Sequence, residues 1–137
     1  MASPSLELQI ATVARLRSTA AVTALIGDRV FDHVPEKAEF PYVTVGEGDE
    51  TSDDADCITG FEISLDIDVW SRELGFPEAK KITDAVRRAL RSPDLVITEN
   101  ALVSFEHRQS RFLRDPDGIT AHAVMTFEAI VEQPNTP

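Results

Sequence analysis

A chain with a single cysteine, Cys57, can close no disulfide within itself, which suits a reducing compartment and leaves folding to the apolar core. Basic residues are scarce as well. Only 13 lysines and arginines stand against 24 aspartates and glutamates, a formal net charge of −11. Binding to DNA, RNA or anionic lipid depends on cations that displace counterions, so an electrostatic grip on nucleic acid or on a membrane surface is excluded as a function class. Long apolar runs are absent too. The longest near the start, residues 20–26, is far too short to span a bilayer and lacks the basic flank and cleavage pattern of a secretory signal. The expectation is a soluble protein made in the cytoplasm, with no membrane partner.

Motifs of chemistry are equally sparse. The glycines form neither a phosphate-cradling loop nor a dinucleotide fingerprint, and no serine sits in a nucleophile elbow. His33, His107 and His122 are scattered, with no i, i+4 pair and no cysteine partner to complete a zinc set. Cys57 lies among carboxylates, which suppress the thiolate that a nucleophile needs. Asp49, Asp53, Asp54 and Asp56 miss the spacing and the closing glutamate of the helix-loop-helix calcium motif. Asp66 and Asp68, two apart on one strand face, have the spacing to share a metal or act as an acid/base pair, although a solvated strand face is the plainer account. The expectation is a protein that is not an enzyme and holds no cofactor and no metal.

What is present is a clear change of period. In residues 61–69, Phe61, Ile63, Leu65, Ile67 and Val69 fall on one strand face and Glu62, Ser64, Asp66 and Asp68 on the other, with Trp70 at the far end. After Gly75, Pro77 suits a first helical position, and Ala79, Ile82, Val86, Ala89 and Leu90 form a stripe able to lie on that apolar face. Ser3 and Pro4 open an earlier helix, whose stripe of Leu6, Ile10, Val13 and Leu16 or Arg17 continues to about Ser18. A short turn of helix over residues 20–26 is closed by Gly27. Residues 30–34 and 42–45 read as two short strands, a hairpin or an edge, since Pro35 and Pro41 bar a central position. Residues 46–57, GEGDETSDDADC, have no periodicity and read as a mobile acidic loop; residues 133–137 read as a flexible tail. Residues 95–97 are either a short strand or an ordered connection.

From Ala101 two long strands flank Asp115, Pro116, Asp117 and Gly118. A three-residue loop pairs Asp115 with Ile119, His107 with Phe127, Phe105 with Ala129 and Val103 with Val131, which makes one apolar face. The hairpin, about 40 Å long, spans the domain or projects from it. The fold class is therefore α+β in one domain, residues 1–137: an antiparallel sheet of four to five strands, a long C-terminal hairpin, and two main helices packed against the sheet.

Trp70, beside Arg72 on the polar side of its strand, is either a shield for the sheet edge or an anchor in an interface. Arg108, Arg111 and Arg114, with Phe112 between them, supply fixed positive charge for the acidic segment of a neighbouring copy, against the plainer alternative of pairing within the chain.

These residues carry a resemblance. Leu25-Ile26-Gly27-Asp28-Arg29-Val30, then Phe40-Pro41-Tyr42-Val43, then Val69-Trp70-Ser71-Arg72, the helix over residues 79–90, and Arg111-Phe112-Leu113-Arg114-Asp115-Pro116-Asp117-Gly118 follow the order of the tail-terminator or tail-completion proteins. The chain resembles this family of long-tailed phages and gene transfer agents over nearly its whole length. The resemblance implies a virion structural protein at the head-tail junction, assembled in the bacterial cytoplasm. It further implies a six-membered ring, which caps the head-proximal end of the tail tube and stops tube growth. Its partners would be other copies, the major tail tube protein and the head-tail connector or stopper protein, with DNA only in transit. Trp70, Arg72, Arg108, Arg111, Phe112 and Arg114 then become interface candidates; Asp49, Glu50, Asp53, Asp54, Asp56, Asp66 and Asp68 become acidic loop or lumen candidates. Competing readings are a head-completion or connector subunit of the same particle and a metal-dependent small-ligand domain using Asp66 and Asp68.

Overall fold

The computed structural model describes residues 3–134. Helices α1 (Pro4–Ser18) and α2 (Ala20–Ile26) precede strands β1 (Val30–Phe31), β2 (Tyr42–Ser52) and β3 (Thr59–Ser71); α3 (Pro77–Arg91) and strands β4 (Ala101–Arg114) and β5 (Ala121–Gln133) follow. The five strands form one sheet in the order β1-β2-β3-β5-β4, antiparallel except that β1 pairs parallel to β2. The expected α+β class and the two main helices are what the structure has. Of the expected tail, residues 135–137 lie outside the described residues, whereas Gln133 still pairs with Thr59 in the sheet.

β3 is the centre of the sheet. Its apolar alternation places Ile63, Leu65, Ile67 and Val69 in the core, level with Ala129, Phe127, Met125 and Ala123 of β5. Each such large side chain, once buried, contributes about 1.5–3 kcal/mol against exposure. Pro77 opens α3, and Ala79, Ile82, Val86, Ala89 and Leu90 are buried as expected, joined by Thr83 and Ala85.

α1 starts where expected, with the Ser3 hydroxyl accepting from the Leu6 amide at 3.3 Å, but its expected face is corrected. The buried stripe is Pro4, Leu8, Thr12 and Leu16, while Leu6 and Ile10 are 52% and 60% exposed. Apolar residues lie around most of this helix, so periodicity alone could not select the side that meets the sheet. Its polar residues fix it there. Glu7 accepts backbone N–H groups from Thr98, Glu99 and Asn100 at 2.8–3.0 Å, and Arg15 donates to the carbonyls of Ala89 and Pro93 at the end of α3.

Three further expectations change. Residues 30–34 shorten to the two-residue β1 at the edge, and residues 95–97 form a connection with Leu95 buried. Residues 46–57 are not a loop. β2 continues through them to Ser52 and pairs with β3 as far as Phe61, after a bulge between Val45 and Glu47; residues 53–58 then make a tight turn held by the Asp53 amide on the Gly60 carbonyl at 2.8 Å. Backbone pairing with the long β3 supplies the order that hydrophobic alternation does not signal.

In the C-terminal hairpin, Phe105 pairs with Ala129 and His107 with Phe127, as the apolar pattern requires. The tip differs: Asp115 donates its amide to the Thr120 carbonyl, so the loop is longer, and a bulge at Arg108 restores the register below it. A second bulge at Val103 sets Leu102, not Val103, opposite Val131.

Two outcomes follow from these contacts. Gly48 has φ of +151°, and a Cβ there would lie 1.9 Å from the Ser64 carbonyl oxygen. Gly48→Ala is expected to lower unfolding free energy by about 1–3 kcal/mol in urea titrations, more than Gly118→Ala, where a Cβ meets nothing within 4 Å. For Glu7, burial pushes the carboxyl up, but the Glu99, Thr98 and Asn100 amides and the Asn100 side chain outweigh it and hold it below its usual 4.5. A depressed value means that the contribution is complete above the unfolded value and is lost as pH falls through the folded one. Glu7→Gln should therefore cost about 1 kcal/mol at neutral pH after solvent screening, and the gap to the unsubstituted protein should close under acid denaturation.

Candidate functional site

The helices cover one face of the sheet, and the other face is open. Along β3 the open face carries Glu62, Ser64, Asp66, Asp68 and Trp70, flanked on β2 by Thr51, Asp49, Glu47, Thr44 and Tyr42. On the other side β5 presents Ile130, Glu128, Thr126, Val124 and His122 at the same levels. Glu47, Asp49, Glu62 and Glu128 are exposed, so about half the length of this face is a field of carboxylates. Glu50 points to the helix side, where it accepts the Ser5 amide at 3.2 Å.

The two aspartates singled out by spacing have different surroundings. Asp66 accepts from the Thr126 hydroxyl at 3.2 Å, and Asp68, 8% exposed, accepts from His122 Nε2 at 3.0 Å. Asp68 is thus corrected from an outward carboxylate to an enclosed partner of His122. Among the described residues no group of three His, Cys, Asp or Glu side chains is placed to hold a metal.

At that end of the face the aromatics gather. Trp70 stacks on His122 with centroids 3.8 Å apart and planes 10° apart, and it faces Tyr42 at 6.4 Å. Its indole N–H donates to the Thr44 hydroxyl at 3.3 Å. Arg72 lies 4.2 Å over the Phe40 ring and donates to the Thr120 hydroxyl at 3.3 Å, tying the hairpin tip to the end of β3. Arg114 lies over Phe76, which meets Phe112 edge-on, and Lys80 lies over Phe112. The tip therefore packs on the β3–α3 connection and does not project as a free arm.

Arg108 pairs with Glu128 at 2.8 Å and with Glu106 at 3.1 Å, both within the chain. Arg111 is exposed and makes no ion pair among the described residues. At the opposite end of the sheet, Asp53, Asp54, Asp56 and Cys57 sit on the tight turn, where the Asp54 carboxylate takes the Gly60 amide at 3.2 Å. Arg111 and Arg114 lie towards the end of β3 opposite this acidic turn, whereas Arg108 is level with the middle of that 13-residue strand.

Comparison with known proteins gives this geometry a context. Residues 11–132 match the family of the tail completion protein gp17. The chain belongs to that family. Tail completion protein gp17 of Bacillus phage SPP1 is 26% identical over 118 residues, which is 86% of this chain and 87% of the relative. A chain in the virion of a native gene transfer agent particle superimposes with a TM-score of 0.85 at 30% identity, covering 91% of this chain and 94% of that one. The structure of bacteriophage SPP1 gp17 has the same fold, with a TM-score of 0.64 at 24% identity over 97% and 94% of the two chains. The resemblance carried by the Trp-Ser-Arg strand end and the Asp-Pro-Asp-Gly hairpin thus leads to the right family.

For a tail-completion protein the useful surfaces are those that meet other proteins. Sequence reasoning missed Leu74 and Ile119, 96% and 65% exposed, which line one groove with Arg72, Arg114 and Phe76. Lone aliphatics in a turn carry no periodic signal. Trp70, by contrast, is engaged inside its own chain. Trp70→Ala is expected to cost about 2–3 kcal/mol in chemical denaturation, as removal of a half-buried stacked indole does; the loss should shrink when His122→Ala is already present.

Proposed function

We propose that this tail-completion protein works as a ring that caps the head-proximal end of the tail tube, stops tube growth and joins the tail to the head connector, with DNA passing through. The observation that carries the reading is the division of the sheet into a helix-covered face and an open face rich in carboxylates: Glu47, Asp49, Glu62, Asp66 and Glu128. A lumen lined this way repels the DNA phosphates, so the duplex slides without being held. The exposed turn acids Asp53, Asp54 and Asp56 extend the same field to one rim.

The other rim differs in mixing both charge signs with exposed aliphatics, since Glu73, Asp115 and Asp117 lie there too. Arg72, Arg114, Leu74 and Ile119 gather there, with Phe112 and Arg111 alongside, so the two ends offer different chemistry to two different protein partners. A role in recognition without catalysis accords with the placement of Asp68, which is committed to His122.

Deletion of the gene in its source strain, with particles imaged by negative-stain electron microscopy, tests the proposal. The expected result is free filled heads beside tails of uncontrolled length. Tails of normal length that fail to join heads would instead favour a head-completion or connector subunit, and normally joined particles would remove both readings.

A further inference from the structure

The sheet ends in β4 on one side and in the two-residue β1 on the other, and β1 covers the outer edge of β2 only at Val43 and Thr44, which leaves two long stretches of strand edge with no strand partner among the described residues. β4 is free along all 14 residues, and β2 is free beyond Thr44, where β1 stops. Long open edges present rows of unpaired N–H and C=O groups, and a protein that remains soluble with two of them either blunts them or uses them. β4 is bulged at Val103 and Arg108, and it bears Val103 and Leu113, 57% and 36% exposed.

We infer that β4 of one copy pairs with residues 47–52 of β2 in the next copy, so that a second copy of this chain occupies each open edge. This rests on the ring reading above and specifies its seam. Strand direction permits it. β2 runs against β3, β3 against β5 and β5 against β4, so β2 and β4 run in opposite directions. A copy rotated about an axis along the strands therefore meets its neighbour in an antiparallel ladder, with the open face on the same side all round. Charge favours it as well. Glu47 is level with Gln109 across the sheet, through Asp66 and Thr126, so an in-register seam sets Glu47 and Asp49 of one copy near Arg108 of the next; a two-residue step brings Arg111 there. Arg111 has no ionic partner in its own chain among the described residues, and this seam provides one.

The dimensions agree. Four long strands at about 4.8 Å spacing span about 19 Å, and six copies make a backbone cylinder about 37 Å across before strand tilt widens it. After side chains take about 5 Å on each side, the bore is about 27 Å or more, and a B-form duplex of about 20 Å passes. Helices on one face only make each copy thicker on that side, which puts the helices outside and the carboxylates inside.

Cysteine pairs test the seam in assembled particles. In a Cys57→Ser background, Asp49→Cys is combined in turn with Glu106→Cys, Arg108→Cys and Gln109→Cys, and the particles are oxidised and run on a non-reducing gel. The expected result is a ladder of covalent oligomers from at least one pair and monomer from each single cysteine. A ring visible at the junction with no ladder from any pair overturns the seam; absence of a ring from unsubstituted particles overturns the reading beneath it. A charge swap supplies a second readout. Arg108→Glu with Arg111→Glu should cut the yield of joined particles at least 10-fold, and Glu47→Arg with Asp49→Arg in the same chain should restore most of it. An unchanged yield with the first pair alone, or no restoration in correctly folded protein, counts against the seam.

Discussion

The pairing of β3 on both sides, complete along β5 and nearly so along β2, is the constraint on which the rest of this structure depends. Thirteen residues of β3 are matched one to one by β5, and β2 follows the opposite edge for ten pairs. One face of that ladder collects the core; the other is left to polar groups. Because each residue alternates sides, the same backbone that buries Ile63, Leu65 and Ile67 must turn Glu62, Ser64 and Asp66 to the other face, so the acidic face is a geometric consequence of the core.

The helices add direction to this plate. α3 lies on the apolar face through its small and branched stripe, and α1 is fixed beside it by Glu7 and Arg15, which saturate backbone groups of the segments before β4 and after α3. The end of α3 and the segment before β4 leave backbone groups without partners in helix or sheet, so these two charged side chains do structural work that an apolar contact cannot do. The result is a wedge with helices on one side only, open strands at both flanks, arginines, aliphatics and a few acids mixed at one end and carboxylates alone at the other.

Legibility followed the strength of the local signal. β3 and α3 were readable because their apolar residues repeat at one period and no other. The middle of the hairpin was readable for a subtler reason: the requirement for one apolar face sets Phe105 against Ala129 even though the tip loop is longer than the turn residues suggest, and the bulge at Arg108 absorbs the difference. α1 misled because Leu6 and Ile10 make as good a stripe as Leu8 and Leu16. The acidic segment misled because a strand ordered by its neighbour's backbone needs no apolar side chains of its own. Among the exposed residues near the hairpin tip, Arg111 stood out in the sequence by its charge, whereas Leu74 and Ile119 had no pattern to single them out.

By itself the sequence determined the domain class, the core face of the central strand, the long hairpin and the family, because each rests on local periodicity or on an ordered set of short motifs. Tertiary structure decided which side of α1 is buried, that residues 46–52 extend the sheet, that Asp68 is enclosed by His122, and where the free edges lie. Those features arise from pairings between segments far apart in the chain, and no local pattern encodes which distant backbone a strand will meet.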